Sequence, residues 1–272
     1  MRTDEERPLA PAPSATSLLY WATILAACSI GETVADLVSH DLGLGYVRAS
    51  AIFVGAFAVL AMVERRFGVP AAARYWSAIV LMSTTGTALA DLFTRTLGLG
   101  YSGTSLVLGA LFLLVVAGWP RLRRIGAVRR ADAADPLLPH ARVHLEHTDL
   151  PDTDAGYWAA IMVASTLGTS LGDLVSNALD LGFAGGTLLL GSVLATVLAA
   201  EHLATRSSTV RYWAALITAS TIGATSGDYL TKDDGLGFPS PAVIAVQVVV
   251  LVVLLGFGLA HAQRTRRDAS VE

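Results

Sequence analysis

The chain is poor in cysteine, in lysine and in charge: Cys28 and Lys232 are single examples of their kinds, and Asp, Glu, Lys and Arg make up 15% of 272 residues. One cysteine excludes an intramolecular disulfide and a thiolate metal cage within the chain, which leaves Cys28 as a small apolar core residue. A net charge of -3 gives no electrostatic case for a nucleic-acid partner. No HExxH motif occurs, and near-equivalent acidic positions do not make the unlike pair of an aspartyl hydrolase. The expectation is therefore no enzymatic activity and no cofactor. The N-terminus MRTDEERPLAPAP lacks the basic region of a signal peptide, so the first apolar segment reads as a retained helix.

What the chain has in quantity is apolar length. Hydrophobic residues make up 53% of it and the mean hydropathy is +0.57. Several stretches reach the roughly 20 residues that a helix needs to cross a bilayer core. Those features place it among integral membrane proteins. Arginine dominates the basic residues beside heavy use of Ala and Gly, the usage of a GC-rich bacterial genome.

The chain repeats itself. The pair Tyr-Trp occurs at Tyr20-Trp21, Tyr75-Trp76, Tyr157-Trp158 and Tyr212-Trp213 and nowhere else. Sixteen residues after each Tyr stands Asp36, Asp91, Asp173 or Asp228, and nine residues further comes Gly and an aromatic ring, at Gly45, Gly100, Gly182 and Gly237. Copies one and two are offset by 55 residues, as are three and four, and 82 residues separate the pairs. The segmentation is a tail at 1–16, repeat 1 at 17–66, repeat 2 at 73–119, a linker at 120–152, repeat 3 at 153–206, repeat 4 at 208–260 and a tail at 261–272.

Each copy holds two apolar segments joined by a Gly-rich turn, and in lipid only helices satisfy such backbone internally. The expected fold is all-α and integral to the membrane. It has eight transmembrane helices from four parallel two-helix hairpins, with pseudo-fourfold or nested twofold symmetry. Alternate loops and the termini carry 16 Arg and Lys residues, against Arg48, Arg95 and Lys232 on the other side. That asymmetry predicts a bacterial inner-membrane protein with both termini cytoplasmic. Trp21, Trp76, Trp158 and Trp213, with their neighbouring Tyr residues, then read as interface anchors in contact with the lipid bilayer.

Each Asp falls about 24 Å along its helix from the Tyr, at about 1.5 Å per residue, inside the membrane near the outer face. A polar stripe shares its face: Ser29, Glu32 and Thr33 before Asp36, Thr84 and Thr87 before Asp91, Thr166, Thr169 and Ser170 before Asp173, Thr221 and Thr225 before Asp228. A second stripe of small residues, Gly31, Gly86, Gly168, Gly172, Gly223 and Gly227 with Ala35 and Ala90, is the pattern of close helix approach. The odd-numbered helices are thus expected to form an inner ring, and the more apolar even-numbered ones to face lipid. Asp36, Asp91, Asp173, Asp228 and Glu32 form the candidate site for a small cation or protons, because hard oxygen ligands suit Mg²⁺, Ca²⁺, Mn²⁺ or H⁺. With no Lys or Arg counted inside the membrane, these carboxylates would need cations or protonation. The identity of any bound metal stays open, as does a second reading in which the Asp groups serve helix packing in a scaffold or partner-binding protein. His140, His144 and His147 of the linker share a helical spacing that would suit a metal, though a solvated tether explains them better.

The YWAxI, G, D and LGLGY elements in this register resemble a family of bacterial membrane proteins with four tandem repeats of unknown function, each with two transmembrane regions and a Trp. The resemblance covers nearly all of residues 17–260. It implies the architecture above and adds no reaction. Copy three departs with Asp180 in place of the first turn glycine, and copy four with Ala224 on the polar face.

Overall fold

Segments this apolar and this long pair their backbone groups internally, and every element of the computed structural model is a helix among its described residues, 17–67, 71–133, 155–204 and 208–269. Side chains are described for 17–63, 72–118, 156–177, 179–204 and 208–261. The 1–16 tail and the linker histidines His140, His144 and His147 lie outside the described residues. The helices are α1 (Leu18–Asp36), α2 (Tyr46–Phe67), α3 (Ala71–Asp91), α4 (Gly100–Ala133), α5 (Ala155–Asp173), α6 (Gly182–Leu203), α7 (Thr209–Thr231) and α8 (Ser240–Ala269). α4 runs on from residue 119 to Ala133, into the stretch read as linker, and α8 runs into the stretch read as C-terminal tail.

Among the described residues, seven helices are long and apolar enough to span a membrane. α7 is not one of them, although it is 23 residues long. Its sequence, TVRYWAALITASTIGATSGDYLT, carries seven Ser and Thr residues besides Arg211 and Asp228, and these depress its hydropathy. The protein is therefore a multi-pass membrane protein of four helical repeats.

The odd-numbered helices close into a ring: α1 packs on α3, α3 on α5, α5 on α7 and α7 on α1. In α1, α3 and α5 the spanning windows are 67% buried within the protein, against 11–22% in α2, α4, α6 and α8, whose exposed Leu and Val side chains face outward. The outer helices do not sit where a hairpin repeat would put them. α2 packs on α3, α4 on α5, α6 on α7 and α8 on α1, so each repeat's second helix covers the first helix of the next repeat, and the last repeat covers the first. The hairpin expectation thus needs correction: the repeats exchange their outer helices around the ring. α1, α3 and α5 each continue past the Asp as a π-helical stretch, Leu37–Asp41, Leu92–Thr96 and Leu174–Ala178. A left-handed residue then follows in each copy.

That left-handed residue is Gly43 (φ 68°) in copy one and Gly98 (φ 71°) in copy two, and Asp180 takes it at φ 56° in copy three. Asp is one of the few side chains that tolerates this region. Copy four differs: α7 stays α-helical to Thr231, and Lys232 N–H still donates to the Asp228 carbonyl at 2.8 Å.

The ring closes tightly because glycine stands at each crossing. A Cβ on Gly31 would lie 2.6 Å from Ser83 Cβ, on Gly86 2.8 Å from Ser165 Cβ, on Gly168 2.5 Å from Ser220 Cβ, and on Gly223 2.4 Å from Cys28 Cβ. The four contacts are one contact repeated around an axis, with Cys28 at the position that Ser83, Ser165 and Ser220 hold in the other copies.

A candidate acidic site on the axis of the inner ring

From the N-terminal ends of the inner helices toward their C-terminal ends, equivalent residues stack in layers. The first is a closed ring of phenols. Tyr20 and Tyr75 oxygens are 2.7 Å apart, Tyr75 and Tyr157 2.8 Å, Tyr157 and Tyr212 2.9 Å, and Tyr212 and Tyr20 3.1 Å. A hydroxyl has one proton to give, so a four-membered cycle lets each Tyr donate once and accept once. Around it stand the indoles. Each Tyr meets its own Trp edge-on at 5.1–5.3 Å and the Trp of a neighbouring copy at 5.7–6.0 Å. One turn further along lie Ile24, Ile79, Ile161 and Leu216, all buried.

The Tyr-Trp pairs are thus internal as much as interfacial. All four Tyr residues are buried, as are Trp21 and Trp213, while Trp76 and Trp158 are half-buried. The six packing glycines all face neighbouring helices, with Gly172 against Thr225 and Ala224, and Gly227 against the stem of Glu32.

The next polar layer is asymmetric. Glu32, Thr87, Thr169 and Ala224 occupy equivalent positions. Thr87 donates to Glu32 Oε2 at 2.8 Å and Thr169 to the same oxygen at 3.3 Å, while the two threonine oxygens are 3.1 Å apart. Glu32 therefore reaches from α1 across to hydroxyls of α3 and α5.

The four aspartates lie one turn beyond, all buried, in three different states. Asp36 is in close ion contact with Lys232, and the same ammonium stands 3.6 Å from Asp228 Oδ1. Asp91 accepts from Arg95 Nε at 2.6 Å. Among the described residues, the Asp173 carboxylate has neither a hydrogen bond nor an ion pair. Asp228 Oδ1 is closed off from solvent and receives no hydrogen bond. One carboxylate oxygen from each of Glu32, Asp36 and Asp228 lies within 4.8 Å of the others.

The remaining polar stripe does not feed this cluster. Thr84, Thr166 and Thr221 donate back to their own helices at Val80, Met162 and Ile217. Thr225 donates to Ile222 and accepts from Thr187. Ser29 and Thr33 face α8, where Gln247 Nε2 donates to them at 2.8 and 3.2 Å.

Arg95 and Lys232 pair with the buried aspartates, which the sequence-based count of loop cations does not anticipate. Both fall beside turns in the sequence and so group with the loops, yet each stands four residues after an Asp, the spacing of an ion pair along a helix. The equivalent positions in copies one and three are His40 and Asn177. The cations thus stand just past the ends of α3 and α7, opposite one another in the ring.

The family model described as Repeat of Unknown Function (DUF347) matches the chain four times, at residues 19–68, 74–124, 156–207 and 211–263. Neither a curated protein nor a solved structure matches it. The matched segments agree with the four structural repeats and together take in most of the 272 residues, and the chain belongs to this family of repeats of unknown function.

Proposed function

We propose that the protein is a transporter or channel-like permease for a cation or protons, with no enzymatic activity. It would sit in a bacterial inner membrane with both termini cytoplasmic. The observation that carries this reading is the convergence of Glu32, Asp36 and Asp228 within 4.8 Å at one end of the inner ring. Five buried carboxylates share two cationic side chains there, and buried charge of one sign is costly unless something neutralises it. Small cations or protons are the agents that do so reversibly.

The tyrosine ring and the aliphatic layer behind it support a gated carrier over an open pore, since they fill the axis on the side away from the carboxylates. α7 is taken as the eighth crossing because α1, α5 and α6 cover it, so its polar face meets protein and not lipid. With the termini cytoplasmic, the carboxylates open toward the outer face.

The test is flux in proteoliposomes with an internal pH or divalent-cation dye. Glu32→Gln and Asp173→Asn should each reduce flux at least tenfold while the purified variants keep their size-exclusion profile. Unchanged flux in both sinks the reading. Lys232 and Arg95 favour a second one, in which the carboxylates lock helices together as ion pairs in a membrane scaffold. On that account the same substitutions lower thermal stability and no ion alters the melting of the wild type.

A further inference from the structure

We propose that Lys232 is a tethered counter-cation seated on the Asp36 and Asp228 carboxylates, and that a hard divalent cation of the Ca²⁺ or Mn²⁺ class binds these two and Glu32 by displacing its ammonium. The proposal rests on reading the acidic cluster as a cation site and specifies the ion and the exchange.

The three carboxylate oxygens lie within 4.8 Å of one another, close enough for one ion to touch all three, and carboxylate oxygens are the ligands of Ca²⁺ and Mn²⁺. Backbone proximity holds them there: Gly227 carries no side chain, and a Cβ on it would come 2.9 Å from Glu32 Cβ. α1 and α7 therefore present their carboxylates as one group.

Two further features point to a ligand. Asp228 Oδ1 is sealed from solvent without a hydrogen bond, and the ammonium nearest to it stands off at 3.6 Å. Asp173, on the neighbouring α5, is a buried carboxylate with no partner among the described residues. A single ammonium offsets one of the trio's three charges, and a divalent cation offsets two.

Lys232 is built to leave. It lies just past the end of α7, its side chain is 33% exposed, and its ammonium is a point charge on a flexible four-carbon stem. Arg95, by contrast, is fixed on its own helix one turn from Asp91. When the divalent cation departs, the ammonium returns to the carboxylates, which lowers the cost of release. A transport site must bind well enough to load and weakly enough to unload, and a resident competitor supplies the second half.

The test uses the full-length, tag-free protein in detergent, titrated calorimetrically with Mn²⁺ alone and with Ca²⁺ alone. Lys232→Met keeps the stem and removes the competitor, so Mn²⁺ should bind about tenfold tighter than to the wild type, within the usual range of linked equilibria. Lys232→Arg keeps a charge that forks onto carboxylates and is harder to displace, so binding should weaken. Glu32→Gln should weaken it in every background. Equal affinities in wild type, Lys232→Met and Lys232→Arg overturn the proposal, as does the absence of Mn²⁺ and Ca²⁺ binding in both wild type and Lys232→Met. If Lys232→Met does not purify as a folded protein, Lys232→Arg against the wild type decides. The expected affinity order without flux in proteoliposomes removes the transport reading alone, and proton flux without divalent binding removes this proposal alone.

Discussion

Adding one methyl group at Gly223 tests the inner ring at its tightest seam. An alanine Cβ there would stand 2.4 Å from Cys28 Cβ, 2.9 Å from the Cys28 carbonyl carbon and 3.0 Å from Ser29 N. Two of these three atoms belong to the α1 backbone, so no rotamer change relieves the clash. Ordinary carbon contacts begin near 3.5 Å, and the seam between α7 and α1 would have to open by about 1 Å. That opening is transmitted, because the same two helices carry Tyr212 and Tyr20 at one end and Asp228 and Asp36 at the other. Overpacking of this kind costs about 1–3 kcal/mol. In a protein of this size each kcal/mol corresponds to about 2–4 °C, so Gly223→Ala should lower the melting temperature in detergent by roughly 2–12 °C. The control is built into the outer helices. A methyl group added at Gly55, Gly109 or Gly191 would have nothing within 4 Å. Alanine there should hold or raise stability, since helical Gly is worse than Ala by about 0.5–1 kcal/mol. Melting curves of Gly223→Ala and Gly109→Ala that coincide would refute the close-packed ring.

Two further outcomes follow from the polar layers. A single Tyr75→Phe breaks the phenol cycle and leaves two buried neighbours short of a partner, at about 1–3 kcal/mol. Replacing all four Tyr by Phe leaves no orphaned hydroxyl, so its cost should be clearly less than four times the single loss; additive melting shifts would argue against a closed cycle. Arg95→Met strands the buried Asp91 carboxylate, and because Arg95 is 44% exposed the loss should stay near 1–2 kcal/mol, below that of a fully buried pair. Asp91→Asn in the same chain should restore most of it, and a double variant no more stable than Arg95→Met would contradict the pairing.

The register of Tyr, Asp and turn glycine is enough to divide the chain into four repeats and to rank its helices as inner and outer. Which helix covers which is not legible there. A repeat packs its second helix equally well on its own first helix or on the next copy's, and small residues along α1, α3, α5 and α7 mark close contact without naming the outer partner. The tyrosine ring leaves a signal that an interfacial reading passes over: Tyr20, Ile24, Ala27 and Gly31 follow one helical face, the face that meets neighbouring inner helices. The cations at Arg95 and Lys232 are hidden by their position next to turns, although their spacing from Asp91 and Asp228 is that of a helical ion pair. Glu32 is visible as a break in the repeat, but its reach to Thr87 and Thr169 depends on the curvature of the ring and not on any local pattern.

The exchange of outer helices sets a schedule for biosynthesis. α1 is made well before α8, the helix that covers it. The two are separated by roughly 200 residues, which at about 5–20 residues per second is a delay of some 10–40 s. During that interval Ser29 and Thr33 have no Gln247 to meet, and Glu32 has neither hydroxyl partner until α3 and α5 arrive. The polar side of α1 is therefore completed only when α8 closes the circle.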